Sequence, residues 1–251
     1  YIPDRFKDGY GPNLEAYKRL VKEGSQIIFA IDNGITGYQA ASYLKDNHID
    51  FLIADHHQIP EKLPEASVII HTELSPDYPF KGLSAAGLAY KIAVYLLGKE
   101  AAAQFLPLVA AGEIADVMPL TGENKSLVKA GLKAIGNGLN QGISMILKKA
   151  GIDAAQVTSE NLAFSLAPRL NSLGRMANAS ALVELLTSQD TAVLAKIATE
   201  VEKSNRQRQS TSDKIFEKAQ QQVDPLSKKL LLRRAKLASR GHRYYRWKIG
   251  R

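Results

Sequence analysis

Phe51-Leu52-Ile53-Ala54-Asp55-His56-His57 is an apolar run that ends on a carboxylate and two imidazoles. A short apolar run bounded by polar residues reads as a buried strand. Ile28-Phe29-Ala30-Ile31-Asp32-Asn33-Gly34, whose aspartate lies 23 residues upstream of Asp55, repeats the design. Residues 37–47 between them carry a helical pattern, and a β-α-β order with this crossover predicts a parallel pair. Ligands of open parallel sheets collect outside the carboxyl ends of the strands. Asp32 and Asp55 are therefore expected on one rim. A third strand is predicted at about 67–71. A helix is predicted over 12–23, with Asn13 near its start and Gly24 just past its end.

From Ser84 to Ala150 the pattern turns helical, over roughly 84–97, 101–115, 124–137 and 140–150, with breaks at Gly98, Pro119 and Gly138. A further helical stretch near 160–166 leads into Pro168. Residues 190–222 read as a long polar helix with sparse apolar positions at Val193, Leu194, Ile197, Val201, Ile215 and Ala219. Such spacing suits a connector between domains better than a core element. The expected fold class is α/β: a parallel-sheet domain with a helical portion and a long connecting helix.

The 251 residues are 45% hydrophobic, enough for a sizeable core. There is no cysteine, which excludes disulfides and thiolate metal sites. No apolar run is long enough to span a membrane, and no signal-peptide pattern is present, so a cytoplasmic protein is expected. The net charge of +8 is unevenly spread. Residues 226–251 hold ten Lys or Arg and no acid, which leaves 23 basic against 25 acidic residues in 1–225, a net of −2. Bulk charge is thus no sign that the folded body binds a polyanion.

Four segments carry chemistry. Asp32-Asn33-Gly34 is either a ligand-bearing strand end or an ordinary turn. Asp55-His56-His57 points to a metal or phosphate site, and mixed carboxylate and imidazole donors suit Mn²⁺ better than an oxygen cage suited to Ca²⁺. His48 and His71 lack acidic neighbours at ligand spacing and read as structural. In Gly112-Glu113-Ile114-Ala115-Asp116-Val117-Met118-Pro119-Leu120, Asp116 interrupts an apolar stretch. It either needs a cation, because a buried unpaired carboxylate is costly, or faces water at a helix end. Ala167-Pro168-Arg169-Leu170-Asn171-Ser172-Leu173-Gly174-Arg175-Met176 offers bidentate donors to phosphate, or is a charged surface loop. Lys81-Gly82-Leu83-Ser84 reads weakly as a helix-start anion site.

Taken together, the sequence resembles the DHH phosphoesterase superfamily, and within it the RecJ-type single-stranded-DNA-specific exonucleases. The matching segments are YIPDRFKDGYGPN, FAIDNGI, ADHH, YPFKGLSAAGLAYK, GEIADVMPL and APRLNSLGRM, in family order over about residues 1–224. The resemblance implies metal-assisted 5′ to 3′ hydrolysis of single-stranded DNA with release of mononucleotides, in DNA repair and recombination. It implies Mn²⁺ or Mg²⁺, with two ions in the complete family site. Asp32 resembles the bridging carboxylate, and His56 and Asp116 resemble ligands of one ion. His57 resembles a contact to the scissile phosphate, Asp55 a support of the site, and Arg169, Asn171 and Arg175 backbone-phosphate contacts.

The family's Asp-x-Asp motif, expected just before the YIP segment, is not found. The implied division is a catalytic domain over 1–185, N-terminally incomplete, a connecting helix over 186–225 and a basic tail over 226–251. Tyr244, Tyr245 and Trp247 would let that tail stack on bases. The abrupt end of the resemblance instead favours sequence foreign to the fold, such as a shifted frame. The expectation is a monomeric fragment with weak Mn²⁺ binding and little nuclease activity. Alternatives are a DHH phosphodiesterase of short oligonucleotides or cyclic dinucleotides, and a non-catalytic DNA-binding module. Partners in the repair machinery are not legible.

Overall fold

A computed structural model describes residues 1–4, 8, 9, 11–176 and 180–221; for 173–176 and 221 it describes the helical backbone alone. Three parallel strands, β1 (Ile27–Ile31), β2 (Asp50–Ala54) and β3 (Val68–Ile70), form a sheet in the order β1-β2-β3. Ile31 pairs with Ala54, so both strands end at the same level and release Asp32 and Asp55 on one rim. Helices α1 (Leu14–Lys22) and α2 (Tyr38–Asp46) bracket β1 in the sequence. Asn13 caps α1 by accepting the Ala16 amide, as a short polar side chain at this position does.

Strand periodicity decides which residues the helices cover. Ile28, Ala30, Phe51 and Ile53 face Tyr17, Ala40, Ala41 and Leu44 in one buried cluster. The alternate residues Ile27, Phe29 and Ile31 are exposed on the other face of β1. Tyr17 meets Phe51 edge to face at 5.6 Å, fixing α1 against the strand behind the rim.

The helical portion begins with α3 (Ala85–Leu97), short α4 (Lys99–Ala102) and α5 (Leu106–Ala115). It continues with α6 (Gly122–Gly136), α7 (Gln141–Lys149) and a single turn α8 (Ser159–Asn161). Helix α5 is central: Val109 packs with Leu83, Leu88 and Leu127, while Ala110 and Ile114 join the main helical core. Its approach to α3 is close. A Cβ on Gly112 would stand 2.4 Å from the Ala86 Cβ.

Three elements differ from expectation. Residues 167–176 are a helix, α9 (Ala167–Met176), rather than a loop. The chain passes into it through a π-helical stretch, Leu162–Leu166. Proline disrupts an ordinary helix through its missing N–H and its clash with the carbonyl four residues back. The wider π turn immediately before Pro168 loosens that constraint. After α10 (Ser180–Thr187), for which the sequence reading has no counterpart, comes the 31-residue α11 (Thr191–Gln221). Its first half is no mere connector. Leu194, Ile197, Ala198 and Val201 are buried in the main helical core, at the i, i+3, i+4, i+7 spacing of an amphipathic stripe. Among the described residues no helix is long and apolar enough to cross a membrane. The basic tail 226–251 lies outside the described residues.

Candidate metal centre

Asp55 organises the rim. Its side chain is 1% exposed and accepts four hydrogen bonds. Oδ1 takes the amides of His56 at 2.8 Å and His57 at 3.3 Å, and His57 Nδ1 at 2.6 Å; Oδ2 takes the Ile35 amide at 3.0 Å. The Ile35 bond ties the turn after β1 to the exit of β2, so one carboxylate holds both strand ends. Burial pushes the Asp55 carboxyl up, but the hydrogen bond from His57 and those from the backbone outweigh it and leave it below the usual carboxylate range. Burial, with the charge of Asp55, in turn pushes the Tyr17 hydroxyl up to about 12.

Around this support three donors converge. His56 Nε2 lies 3.3 Å from Asp32 Oδ1 and 3.2 Å from Asp116 Oδ2. Asp32 occupies the left-handed region at φ +67°, which aspartate tolerates better than most residues, and its amide still continues the ladder to the Ala54 carbonyl at 3.0 Å. Asp116 arrives from the far side, at the end of α5. There the Met118 amide bonds to the Glu113 carbonyl and the Val117 amide to the Ile114 carbonyl, the pattern of a Schellman cap. Glycine is the usual residue at the left-handed position of such a cap. Here Val117 holds it, at φ +60°. A β-branched residue in that region is strained, and the strain lies next to Asp116.

His56 Nε2 is buried, and despite its two close carboxylates it has no hydrogen-bond partner. The oxygens lie near it without lining up with its N–H direction. An unsatisfied buried nitrogen is costly in a folded protein. The spacing has a simple reading, because ligands held about 2.1 Å from one ion lie roughly 3.0 to 3.4 Å apart. The residues present therefore fit a divalent cation, with two carboxylates and an imidazole as donors. Asp32, His56 and His57 also bring ligand atoms within 4.8 Å of one another, so His57 stands at the edge of the same cluster.

The charges agree with a site built for a cation. The Asp32 carboxylate raises His56, burial opposes this, and Asp116 adds to the rise. Burial pushes the Asp116 carboxyl up, with the charge of Asp32 adding and His56 opposing. Two carboxylates crowded on one imidazole are relieved by positive charge.

Near this centre the sequence reading passes over one residue, Glu113, and reads a second, His71, as structural. Glu113 is 0% exposed, and both its oxygens accept the Ser84 amide at the start of α3, at 3.2 and 3.3 Å. A Cβ on Gly87 would stand 2.3 Å from Glu113 Oε1, so glycine is what leaves room for this carboxylate. The helix-start anion site read at Lys81–Ser84 is thus filled from within. Lys81 is itself committed to the carbonyls of Thr72 and Ser75, at 2.9 and 2.6 Å. The signal was available: the cost of burying a carboxylate applies to Glu113, whereas Asp116, at the end of α5, keeps its side chain 46% exposed. The second residue, His71, is buried directly behind His57.

The arginine segment lies on α9. Arg169 is not a free donor: its Nε meets Glu202 of α11 at 2.8 Å, and NH1 donates to the Ser165 carbonyl at 3.0 Å. Asn171 is exposed. The side chain of Arg175 lies outside the described residues.

Residues 1–113 match the DHH family, N-terminal domain. The chain is 37% identical over 225 residues to the single-stranded-DNA-specific exonuclease RecJ of Bacillus subtilis, covering 89% of this chain and 28% of that protein. It is 32% identical over 235 residues to RecJ of Thermus thermophilus, covering 92% and 34%. Among solved structures, exonuclease RecJ bound to manganese superposes with a TM-score of 0.80 at 30% identity, over 90% of this chain and 58% of that one. RecJ from Thermus thermophilus in complex with Mn²⁺ gives 0.75 at 29% identity, over 84% and 32%. The chain spans between about a quarter and two fifths of the curated RecJ proteins it matches.

Proposed function

We propose that this chain carries a divalent-cation site for hydrolysing phosphodiester bonds of single-stranded DNA from the 5′ end, as a RecJ-type protein of the cytoplasm. One observation carries the reading: the buried, unpartnered His56 Nε2 midway between two carboxylates. Asp32, His56 and Asp116 would hold one Mn²⁺ or Mg²⁺. The ion would supply Lewis acidity and neutralise charge developing on phosphate oxygens. The relatives bound to manganese support this choice of metal.

The remaining roles follow from the chain's own bonds. Asp55 takes the proton-bearing Nδ1 of His57, which leaves Nε2 of that ring to face a substrate phosphate. Asn171 and Arg175 would contact the DNA backbone, and Arg169 would do so only in competition with Glu202. The domain organisation we propose is the catalytic unit 1–185, with the first half of α11 packed into its core and the second half as the connecting helix. With donors for one ion among the described residues, hydrolysis by this chain should be slow.

Calorimetric titration with Mn²⁺ and an assay on 5′-labelled single-stranded DNA test the reading together. The expected result is about one Mn²⁺ bound per chain, with slow Mn²⁺-dependent mononucleotide release, both lost in His56→Ala. Mn²⁺ binding and hydrolysis unchanged in His56→Ala and Asp116→Asn would overturn it.

A further inference from the structure

His71 stands one residue beyond β3, and its ring is 2% exposed. Nδ1 accepts the Glu73 amide at 3.2 Å, so that nitrogen carries no proton. Nε2 must then carry it, and Nε2 lies 2.9 Å from the main-chain carbonyl of His57. Both ring nitrogens are used, and the neutral tautomer is fixed by its two partners. The adjacent rung of the sheet, the Asp55 amide on the Ile70 carbonyl at 3.2 Å, runs between the same two chain segments.

His57 is accordingly held from two sides. Asp55 grips its amide and its Nδ1 from within the turn. His71 grips its carbonyl from the neighbouring strand. A residue released from a strand end would otherwise be free to swing about its backbone, carrying the imidazole with it. With amide, carbonyl and ring nitrogen all bonded, one ring orientation remains.

We propose that His71 is a positioning residue for His57, acting through the main-chain carbonyl that its Nε2–H holds. The proposal rests on the reading of His57 as a substrate contact. His71 also does structural work, since Nδ1 caps the 3₁₀ turn Thr72–Leu74. The two jobs use different nitrogens, so substitutions can separate them. In His71→Asn the side-chain oxygen can replace Nδ1 as the cap, a role asparagine fills well, but the amide stops short of His57. In His71→Gln the amide N–H reaches the place of Nε2 and the cap acceptor is lost.

Three measurements on the full chain read the outcome: the thermal midpoint, the imidazole ¹H–¹⁵N signals, and single-turnover hydrolysis of a 5′-labelled single-stranded oligonucleotide with Mn²⁺. His71→Asn is expected to keep the midpoint, lose the protected Nδ1–H signal of His57, and slow hydrolysis about tenfold, in the range found when groups behind a metal site are removed. Half-saturation by DNA should hold within about twofold, as in wild type, on that same basis. His71→Gln is expected to lower the midpoint yet keep the signal and the rate. The proposal is overturned if signal and rate follow the midpoint, with Gln the worse variant. Should the wild type hydrolyse nothing, the reading of the site as a nuclease fails, and the His57 signal still decides whether His71 positions the ring.

Discussion

The sheet rim and the seam between α9 and α11 both bring acids and bases together, to opposite ends. In the seam, Arg169 and Glu202 are each about 15% exposed and meet at 2.8 Å, with Arg169 also bonded to a carbonyl. Its charges are satisfied within the fold. At the rim, His56 Nε2 stands between Asp32 and Asp116, and hydrogen-bonds to neither. Its charges are gathered and left incomplete. Partnered polar groups hold a structure together, whereas unpartnered ones held at ligand spacing mark the place of something that binds.

The contrast is sharpest under substitution. His56→Ala should lower Mn²⁺ affinity about a hundredfold, more than the loss of a group behind the ligands would, with little change in the metal-free melting temperature. Calorimetry and thermal melts on one preparation check both halves. Arg169→Ala should do the reverse. It leaves Glu202 mostly buried with only the exposed Arg206 beside it at 3.3 Å, which costs on the order of 1 to 2 kcal/mol of stability, while Mn²⁺ affinity stays as in wild type. A matching loss of affinity in Arg169→Ala would erase the distinction between the two regions.

The regions should also answer to pH in different windows. Burial opposes but Arg169 overcomes it, and Glu202 sits below the usual carboxylate range. A depressed carboxyl contributes stability above its unfolded value, lost as pH falls through the folded one. That acid limb, below about pH 4.3, should shrink in Arg169→Ala, with Arg206 holding the remainder. His56 is shifted the other way, raised by Asp32. Its contribution to the metal-free protein is full below about pH 6.5 and lost as pH rises through the folded value. Mn²⁺ affinity should climb as that proton leaves, and a flat profile across neutral pH would break this part of the account.

The smallest effect concerns the turn that delivers Asp116. Val117 is 66% exposed at φ +60°, so little burial is lost on substitution. Val117→Gly should raise stability by up to about 1 kcal/mol, the left-handed strain exceeding the entropy cost of glycine. A looser Asp116 would accompany it, seen as a few-fold weaker Mn²⁺ affinity.

Much of this was legible because it is local. Asn13 and Gly24 bracket α1, and the apolar runs before Asp32 and Asp55 end together because parallel strands in this register must. The meeting of Asp116 with His56 was legible only through the family resemblance and not from residue pattern, since it depends on how closely α3 and α5 approach at Gly87 and Gly112. The helix through Pro168 was hidden by a π turn that no residue preference announces. The core stripe of α11, at Leu194, Ile197, Ala198 and Val201, was masked by the polar residues around it. His71 looked structural in sequence, and only the pairing of β2 with β3 sets it behind His57.

Pulsed electron paramagnetic resonance of Mn²⁺ bound to the wild-type chain and to His56→Ala tests the central claim most directly. The account predicts coupling to a directly ligated imidazole nitrogen in the wild type, abolished in His56→Ala. Manganese bound with no nitrogen coupling, or with the same coupling in both proteins, would contradict it.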